Sequence, residues 1–340
     1  MLPLRLRLDT DTLIANWRTL DRLSGSAACG AAVKANGYGL GLGDVVERLT
    51  AAGCRDFFVA TWAEAAAAPP GTPLAVLHGV REEDMAQALT SAARPVLSTP
   101  TQVARWKAAG GGACDVMVDT GMNRLGVSPR DVADGLLDGL AIDTLMSHLA
   151  CADEDSAMNE RQRASFAALA GRTTARRMSL ANSAGIALGS RYAFDLTRPG
   201  LALYGGVPRP ELDGAIRQVA FPEAQVLQRR TVQQGATVGY NATWTAPAET
   251  EVAIINIGYA DGYARAFSEA GSARAGGVAL AVLGRVSMDL LAVDCSATPD
   301  LTEGEWVSMD FDLSRASAAT GQSPYELLTG LGARYERTWS

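Results

Sequence analysis

The chain has 340 residues, 48% hydrophobic and 20% charged, enough to bury the cores of two domains, or of one large barrel with an appendage, without disulfide or metal support. A single small module and a disordered or collagen-like chain are excluded. The net charge of −7, with no Lys/Arg run longer than two, argues against a surface built for a phosphate backbone, so no nucleic-acid partner is expected.

Leu2, Leu4, Leu6 and Leu8 alternate with polar or basic residues and predict a half-buried N-terminal strand over 1–8, unlike the continuous apolar core of a signal peptide. A helix should follow, with Asp11 or Thr12 as N-cap and Leu13, Ile14, Trp17, Leu20 and Leu23 at helical spacing. From Cys29 the chain becomes rhythmic. Eight short apolar runs, Cys29–Lys34, Asp56–Trp62, Pro73–His78, Pro95–Ser98, Cys114–Asp119, Asp143–His148, Arg177–Ala181 and Phe194–Arg198, alternate with polar-faced helical stretches such as Gly43–Ala52, Thr101–Ala109 and Asn159–Gly171.

That alternation predicts parallel βαβ units, and eight of them predict an α/β fold with a closed (β/α)8 TIM barrel over 9–221, near the usual barrel size of roughly 250 residues or somewhat fewer. An open doubly wound sheet is the competing reading. Beyond residue 222 the helical period fades. Gln225–Val232, Glu251–Gly258, Val278–Leu283, Leu290–Asp294 and Trp306–Asp310 read as strands of a second, mostly β C-terminal domain over 222–340, joined by the N-terminal strand 1–8.

Five cysteines form no CxxC pair, which fits neither a disulfide framework nor a zinc ribbon and suits a reducing cytoplasm. With only His78 and His148 available, no metal site is expected. No run of about 18 apolar residues predicts a membrane span.

In a (β/α)8 barrel the reactive groups stand at the C-terminal ends of the strands. Lys34, Arg124, His148, Asn182–Ser183 and Arg198 all close or follow predicted strands. Of 30 basic residues only Lys34 and Lys107 are lysine, so a lysine at a strand end stands out. Partial desolvation there would favour the neutral amine that condenses with an aldehyde, although a lysine snorkelling to the rim is the commoner fate of such a residue. Glycines 37, 39, 41 and 43 follow but miss the G-x-G-x-x-G spacing, so a dinucleotide site is not indicated. Taken alone, Ser183 reads as a helix N-cap, His78 and His148 as satisfied core histidines, and Arg198 as half of an ion pair.

Val33-Lys-Ala-Asn-Gly-Tyr-Gly39 resembles the cofactor-lysine motif of the alanine racemases, pyridoxal-phosphate enzymes of fold type III. Further matches follow in the family's order: Val118-Asp-Thr-Gly-Met-Asn-Arg-Leu-Gly126, Ser147-His-Leu-Ala-Cys-Ala-Asp-Glu154, Asn182-Ser-Ala184 and Arg198-Pro-Gly-Leu-Ala-Leu-Tyr-Gly205. In the β domain the matches are Val238-Gly-Tyr-Asn-Ala-Thr-Trp244, Ile257-Gly-Tyr-Ala-Asp-Gly262 and Gly284-Arg-Val-Ser-Met-Asp289.

The resemblance implies pyridoxal 5'-phosphate as cofactor, with Lys34 as Schiff-base lysine and one catalytic base, and Tyr240 as the opposing base. It implies Arg198 at the pyridine nitrogen and His148 linking Tyr240 to Arg198. Tyr38, Ser183, Gly200 and Leu201 become phosphate contacts, and Arg124, Met288, Tyr259 and Asp289 substrate contacts. It further implies a homodimer in which one subunit's β domain caps the other's barrel, and racemisation of alanine to supply D-alanine for peptidoglycan. A serine or broad-specificity racemase, a decarboxylase on the same barrel, and a non-catalytic cofactor-binding protein are the alternatives.

Four positions depart from the family pattern. Met117 stands where many members carry a carbamylated lysine that positions the arginine matched by Arg124. Leu40 replaces a frequent histidine, Asn123 a frequent glycine, and Ala333 a phosphate-side tyrosine.

Overall fold

The computed structural model describes residues 2–340, which divide into two compact units: Leu13–Arg217, and the residues up to Thr12 together with Gln218–Ser340.

Within Leu13–Arg217, seven parallel strands lie in sequence order, from Ala31–Ala32 through Phe57–Val59, Leu74–Val76, Arg94–Leu97, Cys114–Met117 and Ile142–Met146 to Arg177–Ser179. The eighth predicted run contributes Leu196–Thr197, which pairs parallel with Ala28–Cys29, just upstream of the first strand. Amide bonds from Gly30 to Thr197 O (2.9 Å) and from Arg198 to Ala181 O (2.8 Å) tie this strand to its neighbours on both sides. The array therefore closes as a barrel, and the open-sheet alternative is excluded.

The strands are only two to five residues long and bury nearly every side chain, as parallel strands covered on both faces do. Their starts, however, are charged. Arg94 pairs with Asp115 (3.3 Å) and Asp143 (3.4 Å), and Arg177 pairs with Asp143 and Asp56 (both 2.8 Å). Burial pushes the fully enclosed Asp115 carboxyl up to about 6, against the pull of Arg94. At this end of a barrel, charge serves cohesion rather than chemistry.

The first helix runs Thr10–Ser24, and its cap is neither Asp11 nor Thr12. Asp9 Oδ1 accepts the Thr12 N–H at 2.8 Å. Four consecutive residues, Asp-Thr-Asp-Thr, are all good caps, and composition alone does not choose among them.

In the second unit, Leu4–Leu8 buries Leu4, Leu6 and Leu8 as its alternation predicts. It pairs antiparallel with Ala220–Val232 and parallel with Glu336–Trp339. Ala220–Val232 changes partner along its length. Its first half pairs with Trp306–Met309, and beyond a register shift at Val226/Gln228 its second half pairs with Thr250–Ile255. That bulge bends the strand so that six strands close on themselves. Helices Leu313–Thr320 and Pro324–Thr329 follow, the second with a Ser323/Glu326 capping box.

Candidate active site

The first barrel strand ends in a turn of unusual hand. Ala35 (φ 54°, ψ 48°), Asn36 (55°, 49°), Gly37 (62°, 43°) and Tyr38 (φ 54°) are all left-handed, directly after Lys34. Each non-glycine residue in that region costs roughly 1–2 kcal/mol, so the turn persists only where its surroundings over-determine it. Bonds from Gly37 N–H to Val33 O (2.8 Å), Gly39 N–H to Ala35 O (2.9 Å) and Leu42 N–H to the Asn36 side chain (2.9 Å) do so from within. The buried Tyr38 ring stacks on Tyr204 at 4.6 Å, and the Tyr204 hydroxyl donates to Ala32 O at 2.8 Å. The turn holds Lys34 at the rim as a half-buried side chain.

Lys34, Arg124, His148 and Arg198 come together closely enough that each charge acts on its neighbours. Burial and then the Arg124 charge lower the Lys34 ammonium below its ordinary value, with Glu64 opposing and Arg198 assisting. Burial lowers His148 to about 3, helped by Arg198, Arg124 and Lys34, so the imidazole is neutral at physiological pH. Arg198 is buried; desolvation brings it down to about 10, which still leaves it charged at neutral pH. Its guanidinium donates to Ser179 Oγ and, at 2.6 Å, to Ser147 O. Arg198 is thus held by neutral oxygens rather than by a paired carboxylate. His78, by contrast, is exposed at its strand end and is not the core histidine its position suggested.

Ser183 is not the helix cap. Asn182 Oδ1 accepts the Gly185 N–H at 2.8 Å and caps Ser183–Ala187, which frees the Ser183 hydroxyl. That hydroxyl accepts from Gly200 N–H (3.0 Å) and Ala202 N–H (3.2 Å), at the start of the 3-10 turn Leu201–Tyr204. The Tyr38 hydroxyl closes the same cradle, since a Cβ built on Gly200 would lie 2.2 Å from it. Two hydroxyls meet here beside the Gly200 and Ala202 amides, groups of the kind that bind phosphate oxygens. Gly200→Ala has nowhere to put its methyl, because Tyr38 is pinned by Tyr204. Its expected effect is at least tenfold weaker uptake of a phosphorylated cofactor, read by fluorescence titration, with a lower melting temperature.

The Arg124 loop is closed by Asp119 N–H to Val127 O and Val127 N–H to Met117 O, both 2.9 Å. Asp119 accepts the N–H groups of Gly121 (2.8 Å) and Arg124 (3.1 Å). Asn123 has φ 56°, so the glycine-to-asparagine departure falls on a left-handed position that asparagine tolerates. Gly126 is required, since a Cβ there would meet the Asp119 nitrogen at 2.4 Å. Among the described residues no carboxylate reaches ion-pair distance of the Arg124 guanidinium, which points into an exposed setting. Met117 is half-buried and Leu40 fully buried.

Sequence reasoning missed the residues that hold this rim together. Gln162, fully buried, accepts the Ala150 N–H (2.9 Å) and donates to His148 O (2.9 Å) and Thr120 Oγ1 (3.4 Å), while the Thr120 and Ser147 hydroxyls share a 2.8 Å bond. One glutamine thus links the segments bearing His148 and Arg124. Nothing in composition or period marks it.

In the other unit, Tyr240 (65% exposed), Tyr259 (40%) and Met288 (53%) stand on the surface. Tyr240 begins a 3-10 turn at the tip of the ribbon formed by Thr237–Val238 and Trp244–Thr245. The Tyr259 and Met288 segments are tied by Arg334, which grips both oxygens of buried Asp261 (2.7 and 2.8 Å) and Asp289 (2.7 Å). Tyr259 and Ala260 N–H groups also donate to Ser287 O and Met288 O. Asp289 is therefore half of an ion pair, a partner the sequence did not indicate.

A closed α/β barrel whose strand ends gather a lysine, a neutral imidazole and a buried guanidinium has its polar groups where barrel enzymes carry their active sites. Residues 8–208 match the family described as alanine racemase, N-terminal domain, and 219–339 match alanine racemase, C-terminal domain. An alanine racemase of Rhodospirillum rubrum is 42% identical over 355 residues, covering 98% of this chain and 95% of its own. Among solved structures, alanine racemase of Bartonella henselae with covalently bound pyridoxal phosphate superposes with a TM-score of 0.91 at 32% identity, and the biosynthetic alanine racemase of Pseudomonas aeruginosa with 0.88 at 32%, each covering both chains fully. The chain belongs to the alanine racemase family.

Proposed function

We propose that the protein interconverts L- and D-alanine using pyridoxal 5'-phosphate held on Lys34, with Lys34 and Tyr240 as opposed bases. The observation that carries this reading is the place of Lys34, half-buried at the barrel rim on its left-handed turn, in a site shared with His148 and with the buried Arg198, whose guanidinium is bonded to Ser179 Oγ and Ser147 O. The residues fit the cofactor: Tyr38, Ser183 and the Gly200 and Leu201 backbone would hold its phosphate, Lys34 its aldehyde, and Arg198 its ring nitrogen. When bound, the cofactor supplies a carbonyl for amines and a conjugated ring that disperses the electron pair left by a departing α-proton.

The side chains then divide the proton work. Lys34 Nζ takes or returns the α-proton on one face, and Tyr240 Oη serves the other, which inverts the centre. Neutral His148 accepts a hydrogen bond from Tyr240 and donates none of its own charge to the ring. Arg198 donates a hydrogen bond but keeps its proton, which limits electron withdrawal and keeps the reaction from running on to transamination. Arg124, free of a carboxylate partner, takes the substrate carboxylate with the Met288 backbone; Tyr259 narrows the mouth, and Asp289 with Arg334 orients the Met288 segment.

Tyr240, Tyr259 and Met288 are large, apolar and exposed, which supports a homodimer in which they face the partner's barrel. The small-molecule substrate and the biosynthetic relative support a role in supplying D-alanine for peptidoglycan. Five free thiols, four of them buried, suit the cytoplasm, and no helix among the described residues is long and apolar enough to cross a membrane.

Borohydride reduction of the coloured protein followed by peptide mapping tests the attachment directly, because only two lysines exist. The adduct is expected on Lys34. An adduct on Lys107, or none, removes the reading. Turnover of L-alanine above that of serine or lysine, without carbon dioxide release, is the matching expectation for substrate and reaction.

A further inference from the structure

The turn bearing Lys34 is also held from outside, by a carboxylate on Trp62–Ala67, the helix after the second barrel strand. Glu64 Oε2 accepts the N–H groups of Ala60 (2.6 Å) and Thr61 (3.2 Å), while Thr61 Oγ1 accepts the Glu64 N–H at 3.2 Å. That is a capping box for Trp62–Ala67, and one oxygen suffices for it. The other oxygen does something the helix does not need: Glu64 Oε1 accepts the N–H of Ala35 at 2.7 Å, the amide immediately after Lys34 and the first of the left-handed run.

We propose that Glu64 is a positioning residue for Lys34: its carboxylate ties the amide following the lysine to the start of the helix after the second barrel strand and keeps one negative charge in the neighbourhood of the amine. The inference rests on the reading of Lys34 as the cofactor-bearing residue. Three amides on two segments need two acceptor atoms, and a carboxylate supplies both, whereas a carboxamide supplies one and turns an NH2 group towards the third donor. The charge matters as well as the geometry. The groups facing Lys34 are Arg124 from the fifth strand's loop, Arg198 from the eighth strand, His148 from the sixth and Glu64 from the helix after the second; both arginines disfavour the ammonium, and Glu64 is the anion that favours it. An amine that must condense with a carbonyl and afterwards carry a proton needs both states within reach. Glu64 keeps the protonated state accessible in a site otherwise lined by cations.

The two-lysine composition makes the test clean. The full chain, freed of cofactor with hydroxylamine, is acylated briefly with acetic anhydride over a pH series and the lysine peptides are quantified by mass spectrometry. Lys107, which donates to Leu136 O at 2.8 Å far along the chain, is the internal standard. Glu64→Gln is expected to lower the Lys34 midpoint by roughly half a pH unit, so that Lys34 reacts about threefold faster below it, with Lys107 unmoved. A merely structural loss would loosen the turn, hydrate Lys34 and move its midpoint upwards. An unchanged or raised midpoint overturns the proposal. Glu64→Asp keeps the charge but falls a methylene short of bridging both segments. It is expected to hold the Lys34 midpoint near the natural value while speeding hydrogen exchange at the Ala35 amide at least tenfold; unchanged exchange overturns the bridge even if the Gln variant does not fold. A borohydride adduct on Lys107 in the natural protein would defeat the Lys34 reading separately, while the effect of Glu64 on the Lys34 amine would stay measurable.

Discussion

Lys34→Ala is expected to abolish the borohydride-stable adduct and to lower racemisation by at least about a thousandfold, since the change removes both the attachment point and one base. The fold should not suffer. Lys34 begins the turn after a strand and is only half-buried rather than filling a core, and Tyr38, Ser183, Gly200 and Arg198 remain to hold the cofactor noncovalently, so the variant should still bind it more weakly. The stability effect has a definite sign. In the native state the ammonium lies below its ordinary value of 10.5, so the unfolded chain binds the proton more tightly. That penalty on the native state is full below the lowered value and fades as pH rises towards 10.5. The cofactor-free alanine variant should therefore melt no lower than the natural protein at pH 7, and any advantage should vanish on raising the pH towards 10.5. Melting curves at several pH values, run beside the adduct assay, check both halves. A variant that keeps a reducible adduct, or loses its fold at pH 7, contradicts the assignment.

The barrel was legible because its strands are continuous apolar runs separated by amphipathic helices, a pattern that parallel strands covered on both faces impose. What escaped was what depends on contacts across space. The ring of Arg94, Asp115, Asp143, Arg177 and Asp56 is scattered over the sequence and meets only when the strand starts are brought together. In the β domain, Ser272–Ala275 and Glu336–Trp339 are four-residue segments with few large apolar side chains, recruited as strands by the neighbours they pair with.

The rim was half legible. Lysine scarcity singled out Lys34, and strand ends picked out His148 and Arg198. The left-handed turn was not visible, because Asn36 and Gly37 tolerate positive φ but Ala35 and Tyr38 carry no signal for it; it is imposed by Tyr204, Glu64 and the bonds within the turn. Ser183 looked like a cap because serine usually is one, and only the adjacent Asn182 cap shows its hydroxyl to be free for the Gly200 and Ala202 amides. Gln162 and Arg334 act through partners 12 to 73 residues away, so no local spacing marks them.

Tyr240→Phe separates inversion from everything else the protein does. Tyr240 is 65% exposed in the single chain, at the tip of a two-stranded ribbon, so deleting its hydroxyl costs at most the one proposed bond to His148 and should lower the melting temperature by no more than a few degrees. The adduct on Lys34 and its visible absorbance should also persist, because the cofactor's attachment lies with barrel residues. Racemisation should nevertheless fall roughly 100- to 10,000-fold in both directions, the usual contribution of a positioned acid–base group. With Lys34 intact, the α-hydrogen of one enantiomer should still exchange with deuterated solvent while the other becomes nearly inert. Inverting the centre requires both faces, whereas exchange on one face requires only one base. Proton NMR of L- and D-alanine incubated separately in deuterium oxide reads this asymmetry directly. Symmetric exchange of the two enantiomers, or inversion at the natural rate, would mean that a group other than the Tyr240 hydroxyl serves the second face.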